Sequence, residues 1–530
     1  MPIILTSLLL ILGCSAAWAG SSIQFRQEQL GNVFYTTQNA QFAVETSGEL
    51  VEWVVTDFFA AEIARGTERV SAGRSVIGPV RAGKGYFEIE ARAFSAGGEV
   101  GSARTSFAVI EPPSRSTADD VPFGVMTHFA QGWETDLVEL IARAGIRHVR
   151  DEQYWAGVER NRGEYAFPTR YTGYMAALRA QGLEPLIALT FENKNYDDGL
   201  SPHTDEGRAG YAGYAQAVLN QYGGEVRVLE VWNEYNGTFC KGPCRLDRAG
   251  HYAKMLEAAY RRIKSSRPDV TVLGGAAVLA PLPWFEALFT RGALDFMDGV
   301  VIHPYRPVPE GVERDVAALQ ALIARFNGGR TKPIWATEIG RQDHGPQGRH
   351  NVARYLARMY TLLMSVGVER IYWYLMRDYA GFRTMGLLRA ADSDLGRYAP
   401  APAYAAYANL IHQLHGARFV RRERTDPRTH AYLFERGGTQ IRVIWSPGAP
   451  VDLRLSADRP VTIVDIMGRE RQMNPRDGTM IVTADENPIY VHGAITAISD
   501  VGRERLLADA TADYSVTAQG QGGWYYGYFT

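Results

Sequence analysis

The chain has 530 residues, about two to four domains' worth, with ample material for a large buried core. Hydrophobic residues make up 46% and charged residues 22%, the balance of a folded globular body, which excludes disordered, collagenous and multi-span membrane chains. Lys plus Arg number 56 against 58 Asp plus Glu, a net charge of -2 that offers no basic surface to nucleic acid and points to a neutral or mildly charged partner.

The first twelve residues, Met1 to Leu12, form an apolar run too short to cross a bilayer, followed by the small-residue stretch Ala16-Ala17-Trp18-Ala19-Gly20. This pattern predicts a signal peptide cut after Ala19. No Lys or Arg precedes the run, however, and Ile11-Leu12-Gly13-Cys14 resembles a bacterial lipobox, which would leave a lipidated Cys14 and an outer-membrane lipoprotein. Either route would export the chain, to the periplasm or beyond. No later stretch reaches the ~18 consecutive apolar residues of a transmembrane helix.

Residues 23 to 113 read as short strands, such as Gln41 to Glu45, Glu52 to Thr56 and Gly85 to Arg92, separated by glycine-rich turns. They predict a small Ig-like β-sandwich. The stretch Gly78 to Lys84 has the spacing of a phosphate loop, but Gly85 replaces the Ser or Thr and no helix follows, so it is a turn. A polar, proline-bearing linker from Glu111 to Asp120 ends the module.

From 120 to 415 apolar segments alternate with helical-period segments, the pattern of βα units on a parallel sheet. Eight strands are expected: Phe123 to Phe129, Ile146 to Glu152, Leu183 to Thr190, Val226 to Glu234, Val270 to Val278, Met297 to Tyr305, Pro333 to Ile339 and Arg370 to Asp378. Amphipathic stretches follow them, among them Glu134 to Arg143, Tyr171 to Ala180, Val352 to Leu363 and Tyr404 to Leu414. The fold class is therefore α/β, a (β/α)8 TIM barrel between two β modules. The second β module covers 416 to 495, with strands such as Gln440 to Trp445, Val461 to Asp465 and Ile489 to His492. Residues 496 to 530 form a Gly- and aromatic-rich tail that resembles the start of a further module.

Two cysteines remain after export, Cys240 and Cys244, in the loop behind the fourth strand. A close pair in an oxidising compartment predicts a disulfide, with two free thiols or a metal site sharing His251 as the alternatives.

Catalytic groups of such a barrel belong at the C-terminal ends of the strands, where the βα loops make a concave polar surface. Strand four ends in Val228-Leu-Glu-Val-Trp-Asn-Glu234 and strand seven in Pro333-Ile-Trp-Ala-Thr-Glu338. Two carboxylates across one mouth form an acid/base and nucleophile pair for glycoside cleavage. Each alone has a structural reading too, as a strand-end carboxylate paired to an arginine such as Arg150.

Trp232-Asn233-Glu234 and Trp335-Ala336-Thr337-Glu338, on those two strands, together resemble the clan A retaining glycoside hydrolases, family 39 and its exopolysaccharide-hydrolase relatives in particular. The resemblance covers the barrel and the second β module. It implies that Glu234 is the general acid/base, Glu338 the nucleophile, and Asn233 the holder of the sugar's 2-hydroxyl. It also places His303 and Tyr305, ending strand six, near the nucleophile.

Arg150, ending strand two, would hold Glu338 ionised, or else form a salt bridge to Asp151 or Glu152. Trp373 on strand eight would be the aromatic floor under the reacting sugar, and His128 on strand one a substrate contact. Phe191, Tyr196, Tyr235 and Phe239 lie in loops that would line further subsites or pack internally. Composition agrees: aromatic content is 11%, with 28 Tyr and 10 Trp, which suits sugar stacking.

No His-Glu-x-x-His helix, dinucleotide fingerprint or Gly-x-Ser-x-Gly elbow occurs, so no cofactor and no metal is implied. The expected function is retaining, internal cleavage of a β-linked polysaccharide. An exo-acting β-xylosidase-type enzyme and a non-catalytic carbohydrate-binding protein of polysaccharide export are the alternatives.

Overall fold

A computed structural model describes residues 22–113, 122–425 and 427–501. The leader with Cys14, most of the linker and residues 502–530 of the tail lie outside the described residues.

The N-terminal module is two stacked sheets. One has three strands in the order Ile23–Arg26, Ala40–Thr46, Arg74–Val80; the other has five, in the order Val33–Tyr35, Gly98–Ile110, Gly85–Ser95, Leu50–Asp57, Glu62–Arg69. The strand Gly85–Ser95 shows the cause: Phe87, Ile89, Ala91 and Ala93 are buried while Glu88 and Arg92 face water, the two-residue period of a half-buried strand. These residues meet Phe34, Phe42, Val44 and Phe107 in one core.

The central domain is a closed barrel of eight parallel strands. They are β1 (Phe123–Met126), β2 (His148–Tyr154), β3 (Glu184–Thr190), β4 (Val228–Val231), β5 (Thr271–Val278), β6 (Gly299–His303), β7 (Ile334–Ile339) and β8 (Arg370–Trp373). Around them lie α1 (Leu137–Arg143), α2 (Thr169–Ala180), α3 (Asp205–Tyr222), α4 (Arg248–Ser266), α5 (Leu282–Thr290), α6 (Val312–Phe326), α7 (Gly348–Ser365) and α8 (Pro402–Leu414). Alternate strand residues face outward into one large core shared with the helices. The inward residues Leu186, Leu273, Val301, Trp335 and Tyr372 form a separate apolar plug in the lower barrel. Gly124 makes room for it, since a Cβ there would stand 2.5 Å from the Tyr372 ring.

Several strands are shorter than the hydrophobic runs suggest. β4 stops at Val231 because Trp232 and Glu234 take left-handed backbone, with φ of 71° and 44°.

The C-terminal module has a six-stranded sheet ordered Arg418–Arg422, His430–Arg436, Thr439–Trp445, Ile489–His492, Val461–Val464, Glu470–Met473. A three-stranded sheet, Thr479–Ala484, Val451–Ser456, Ala497–Asp500, packs on it. Its last strand moves the module's end past 495: Leu453 pairs with Asp500, so residues assigned to the tail complete a sheet.

Every residue of α8 except His412 is buried, because both β modules reach it. The N-terminal strands Gly85–Ser95 and Gly98–Ile110 pack on one side. On the other, Asn409 Nδ2 donates to the carbonyls of Asp465 and Ile466 at 3.0 and 3.2 Å. The two modules also meet directly, Arg469 Nη1 lying 2.6 Å from Asp57 Oδ2.

Candidate active site

The C-terminal ends of the strands surround a cavity of about 830 Å³. Glu234 and Glu338 both line it, and so do Asn233, His128 and Tyr305. One carboxylate oxygen of each glutamate and one ring nitrogen of His303 lie within 4.8 Å of one another.

The two carboxyls are held differently. Glu338, near the end of β7, has a side chain 8% exposed and accepts a hydrogen bond at each oxygen: Arg150 Nη1 donates to Oε1 at 2.7 Å and the Tyr305 hydroxyl to Oε2 at 2.8 Å. Two donors, one of them cationic, fix the orientation of this carboxyl. Glu234 is 18% exposed and meets a single ring nitrogen, His303 Nδ1 at 3.0 Å. It stands on the left-handed turn that follows β4, a conformation that costs a non-glycine residue about 1–3 kcal/mol. Neighbours fix that turn: Trp232 Nε1 donates to the carbonyl of Phe239 at 3.1 Å, and the amide of Tyr235 to that of Ala276 at 2.9 Å.

Arg150 organises the floor. Nε and Nη2 grip Glu230 at 2.7 and 3.0 Å, Nη1 reaches Glu338 and the sulfur of Met126, and Nη2 also donates to Asn233 Oδ1 at 2.9 Å. The last bond leaves the Asn233 amide nitrogen as its free donor on the cavity. The alternative pairing of Arg150 with Asp151 or Glu152 is replaced by this arrangement. Asp151 instead accepts from Thr127 Oγ1 and from the amides of Phe129 and Ala130, tying down the loop that carries His128.

His303 is fully buried between the carboxyls, with Nε2 2.9 Å from Thr337 Oγ1. Burial alone would push its imidazole down. The charge of Glu338 and hydrogen bonds to Glu230 and Glu234 outweigh that and raise it to about 9. His128 is the opposite case: burial pushes it down to about 4, so it is neutral, 3.3 Å from the Tyr374 hydroxyl.

Trp373 is a correction. The strand period turns Tyr372 and Tyr374 inward and Trp373 outward, where it is buried against Tyr355 and its Nε1 donates to the carbonyl of Met385 at 3.0 Å. Tyr374, with Tyr379 and Phe382 beyond β8, lines the cavity in its place. Of the loop aromatics, Phe191 and Phe239 reach the cavity, stacked in parallel 5.1 Å apart. Tyr196 stacks on Trp155 instead, and Tyr235 is buried against Tyr252.

Cys240 and Cys244 form a disulfide in the loop behind Phe239, which leaves neither sulfur for a metal. The loop is laced to the one after β3: Lys241 Nζ lies 3.0 Å from Glu192 Oε2, and its amide donates to Ser201 Oγ at 3.0 Å.

Two acidic residues were not foreseen as part of the site, Glu152 having been named only as a possible partner of Arg150. Glu230 is fully buried within β4 and Glu152 is 6% exposed at the top of β2, facing the cavity. The signal was present, because a carboxylate inside an otherwise apolar strand needs a buried partner.

No model of a known protein family matches the sequence, and no curated protein does. Among solved structures, the chain is similar to a family 39 glycoside hydrolase from the gut symbiont Bacteroides cellulosilyticus WH2, with a TM-score of 0.73 and 22% identity, covering 87% of this chain and 99% of that one. It is also similar to a family 30 endoxylanase from Clostridium papyrosolvens C71, with a TM-score of 0.51 and 14% identity over 72% of this chain and 98% of the other. A family 39 β-xylosidase from Caulobacter crescentus gives a TM-score of 0.51 and 17% identity, over 72% and 97%. The chain thus has the fold of the clan A glycoside hydrolases, and its likeness to the Bacteroides protein runs beyond the barrel into the flanking modules.

Proposed function

We propose that the protein is an exported retaining glycoside hydrolase that cleaves β-linked polysaccharide. The observation that carries this is the pair Glu234 and Glu338, oxygens within 4.8 Å across one cavity, one gripped by two donors and the other more open to solvent. That separation matches the ~5–5.5 Å of retaining enzymes and leaves no room for the water an inverting enzyme holds between its carboxyls.

In the first step a Glu338 oxygen attacks the anomeric carbon as Glu234 gives its proton to the leaving oxygen, so the glycosidic bond breaks and a glycosyl ester forms. In the second step Glu234 takes a proton from water, whose oxygen displaces Glu338. Asn233, with its oxygen held by Arg150, offers its amide N–H to the 2-hydroxyl of the sugar. Tyr305 and Arg150 hold Glu338 against rotation through both steps.

Internal cleavage is supported by the Phe191–Phe239 stack on the Glu234 side, an apolar surface for a sugar beyond the broken bond. Export is supported by the disulfide, which persists in oxidising compartments.

The test is proton NMR of the anomeric region while the protein acts on β-linked xylans, mannans, glucans and bacterial exopolysaccharides, with Glu338→Gln as control. A β-anomer appearing first, with wild type alone, is expected. An α-anomer first, or equal turnover by the Gln variant, overturns the mechanism. Long oligomers early in the digest indicate internal cleavage, and monomer alone indicates exo action.

A further inference from the structure

Glu152 is the one carboxyl on the cavity wall for which the described residues supply no hydrogen-bond donor. It is 6% exposed and two residues along β2 from Arg150, so it points to the same inner face, one layer nearer the mouth. Each acidic neighbour is served: Glu338 by Arg150 and Tyr305, Glu230 by Arg150 and Thr337, Asp151 by Thr127 and two amides, Glu234 by His303.

Nor can the cations nearby turn to it. All five N–H groups of Arg150 are taken by Glu230, Glu338, Asn233 and Met126. On the far wall, Arg306 is held by Asp315 and the carbonyls of Val308 and Glu310, and Arg341 by Asp343 and the carbonyl of Pro307. His128 is neutral and bonded to Gln131. Burial pushes the Glu152 carboxyl up to about 8; Arg150 opposes the rise, and Glu338, Asp151 and Glu230 add to it.

A buried carboxyl with no donor is costly in an empty site, and it is matched by a ligand that brings the missing positive charge. A sugar hydroxyl brings one donor and no charge. An ammonium brings three donors and the charge, and it fits a cluster where four carboxyls, Glu152, Glu230, Glu234 and Glu338, share two cations, Arg150 and His303. We infer that Glu152 determines specificity by taking the ammonium of a sugar with a free amino group, an unacetylated hexosamine, on the side of the scissile bond that Glu338 attacks. This rests on the hydrolase reading only in naming that side.

The experiment is titration calorimetry of the full chain with three probes: a β-1,4-linked glucosamine tetramer, its fully N-acetylated counterpart and xylotetraose. Wild type is expected to bind the amine at least about tenfold more tightly than either neutral probe, the scale of one charge-assisted hydrogen bond. Glu152→Gln brings that ratio close to one, and Glu152→Asp, which keeps a carboxyl able to ionise against the ammonium, retains a preference. Equal or absent binding of all three probes by wild type overturns the inference, as does an undiminished preference in the Gln variant. The wild-type ratio needs no variant to fold, and binding needs no turnover. A protein that prefers the amine but cleaves nothing keeps the inference and loses the hydrolase reading.

Discussion

Arg150 and Glu338 meet at 2.7 Å in a place where the guanidinium has no exposed surface, on strands β2 and β7 that are not neighbours in the sheet. The ion pair therefore spans the barrel interior, and the same guanidinium holds Glu230. Taking away the cation leaves two buried carboxylates uncompensated. Arg150→Met is expected to destabilise the fold by about 3–5 kcal/mol in a denaturant titration, far more than loss of any surface pair.

The division of labour between the carboxyls predicts a leaving-group effect. Glu234→Ala should slow cleavage of ordinary glycosidic bonds by about 10²–10⁴, since their leaving oxygen needs a proton. Dinitrophenyl glycosides, whose leaving group departs as an anion, should lose far less in the glycosylation step. Comparing kcat/KM for the two substrate types measures this, and equal losses would remove Glu234 from the acid role.

Stability should fall as pH rises from about 5 to 9. Asp151, Glu152 and His303 are raised to about 7, 8 and 9, so between their unfolded and folded values the native state binds more protons than the unfolded one. The His303 contribution is complete below about 6.5, its unfolded value, and is lost as pH passes 9. The raised carboxyls act in the same direction between about pH 4.5 and 8. Thermal melts across this range should show a declining Tm, with a shallower decline in Glu152→Gln.

Replacing Cys240 and Cys244 by serine should cost about 2 kcal/mol or less, because so short a loop had little freedom to lose. The effect on function should be larger than that on stability. Phe239 is joined directly to Cys240, so KM for long oligosaccharides should rise while that for a glycosyl fluoride, which places no sugar beyond the broken bond, stays level.

The barrel was legible because eight apolar runs alternating with helical periods admit few other arrangements, and the two glutamates because each ends such a run. Trp373 was misplaced because a buried strand is apolar on both faces, so hydrophobicity alone does not say which face looks inward; the position of Tyr372 in the lower plug does. Glu230 was passed over because the run around it was read as packing alone, and Glu152 because it was read only as a possible salt-bridge partner of Arg150. The β4 boundary was drawn too far because Trp232 and Glu234 are poor candidates for left-handed backbone, and it is tertiary contacts, among them those with Leu189, Phe239 and Ala276, that stabilise it there.

An outer helix of a barrel ordinarily keeps one wet side, and α8 keeps none. With the sandwich on one flank and the C-terminal sheet on the other, it acts as a common wall for three parts of the chain. Parts that share a wall lose it together, so sandwich, barrel and C-terminal module are expected to melt in one cooperative step. Trimming away either flank would expose a helix in which nine of thirteen residues are Ala, Leu, Ile or Tyr, and versions lacking a flank are expected to aggregate.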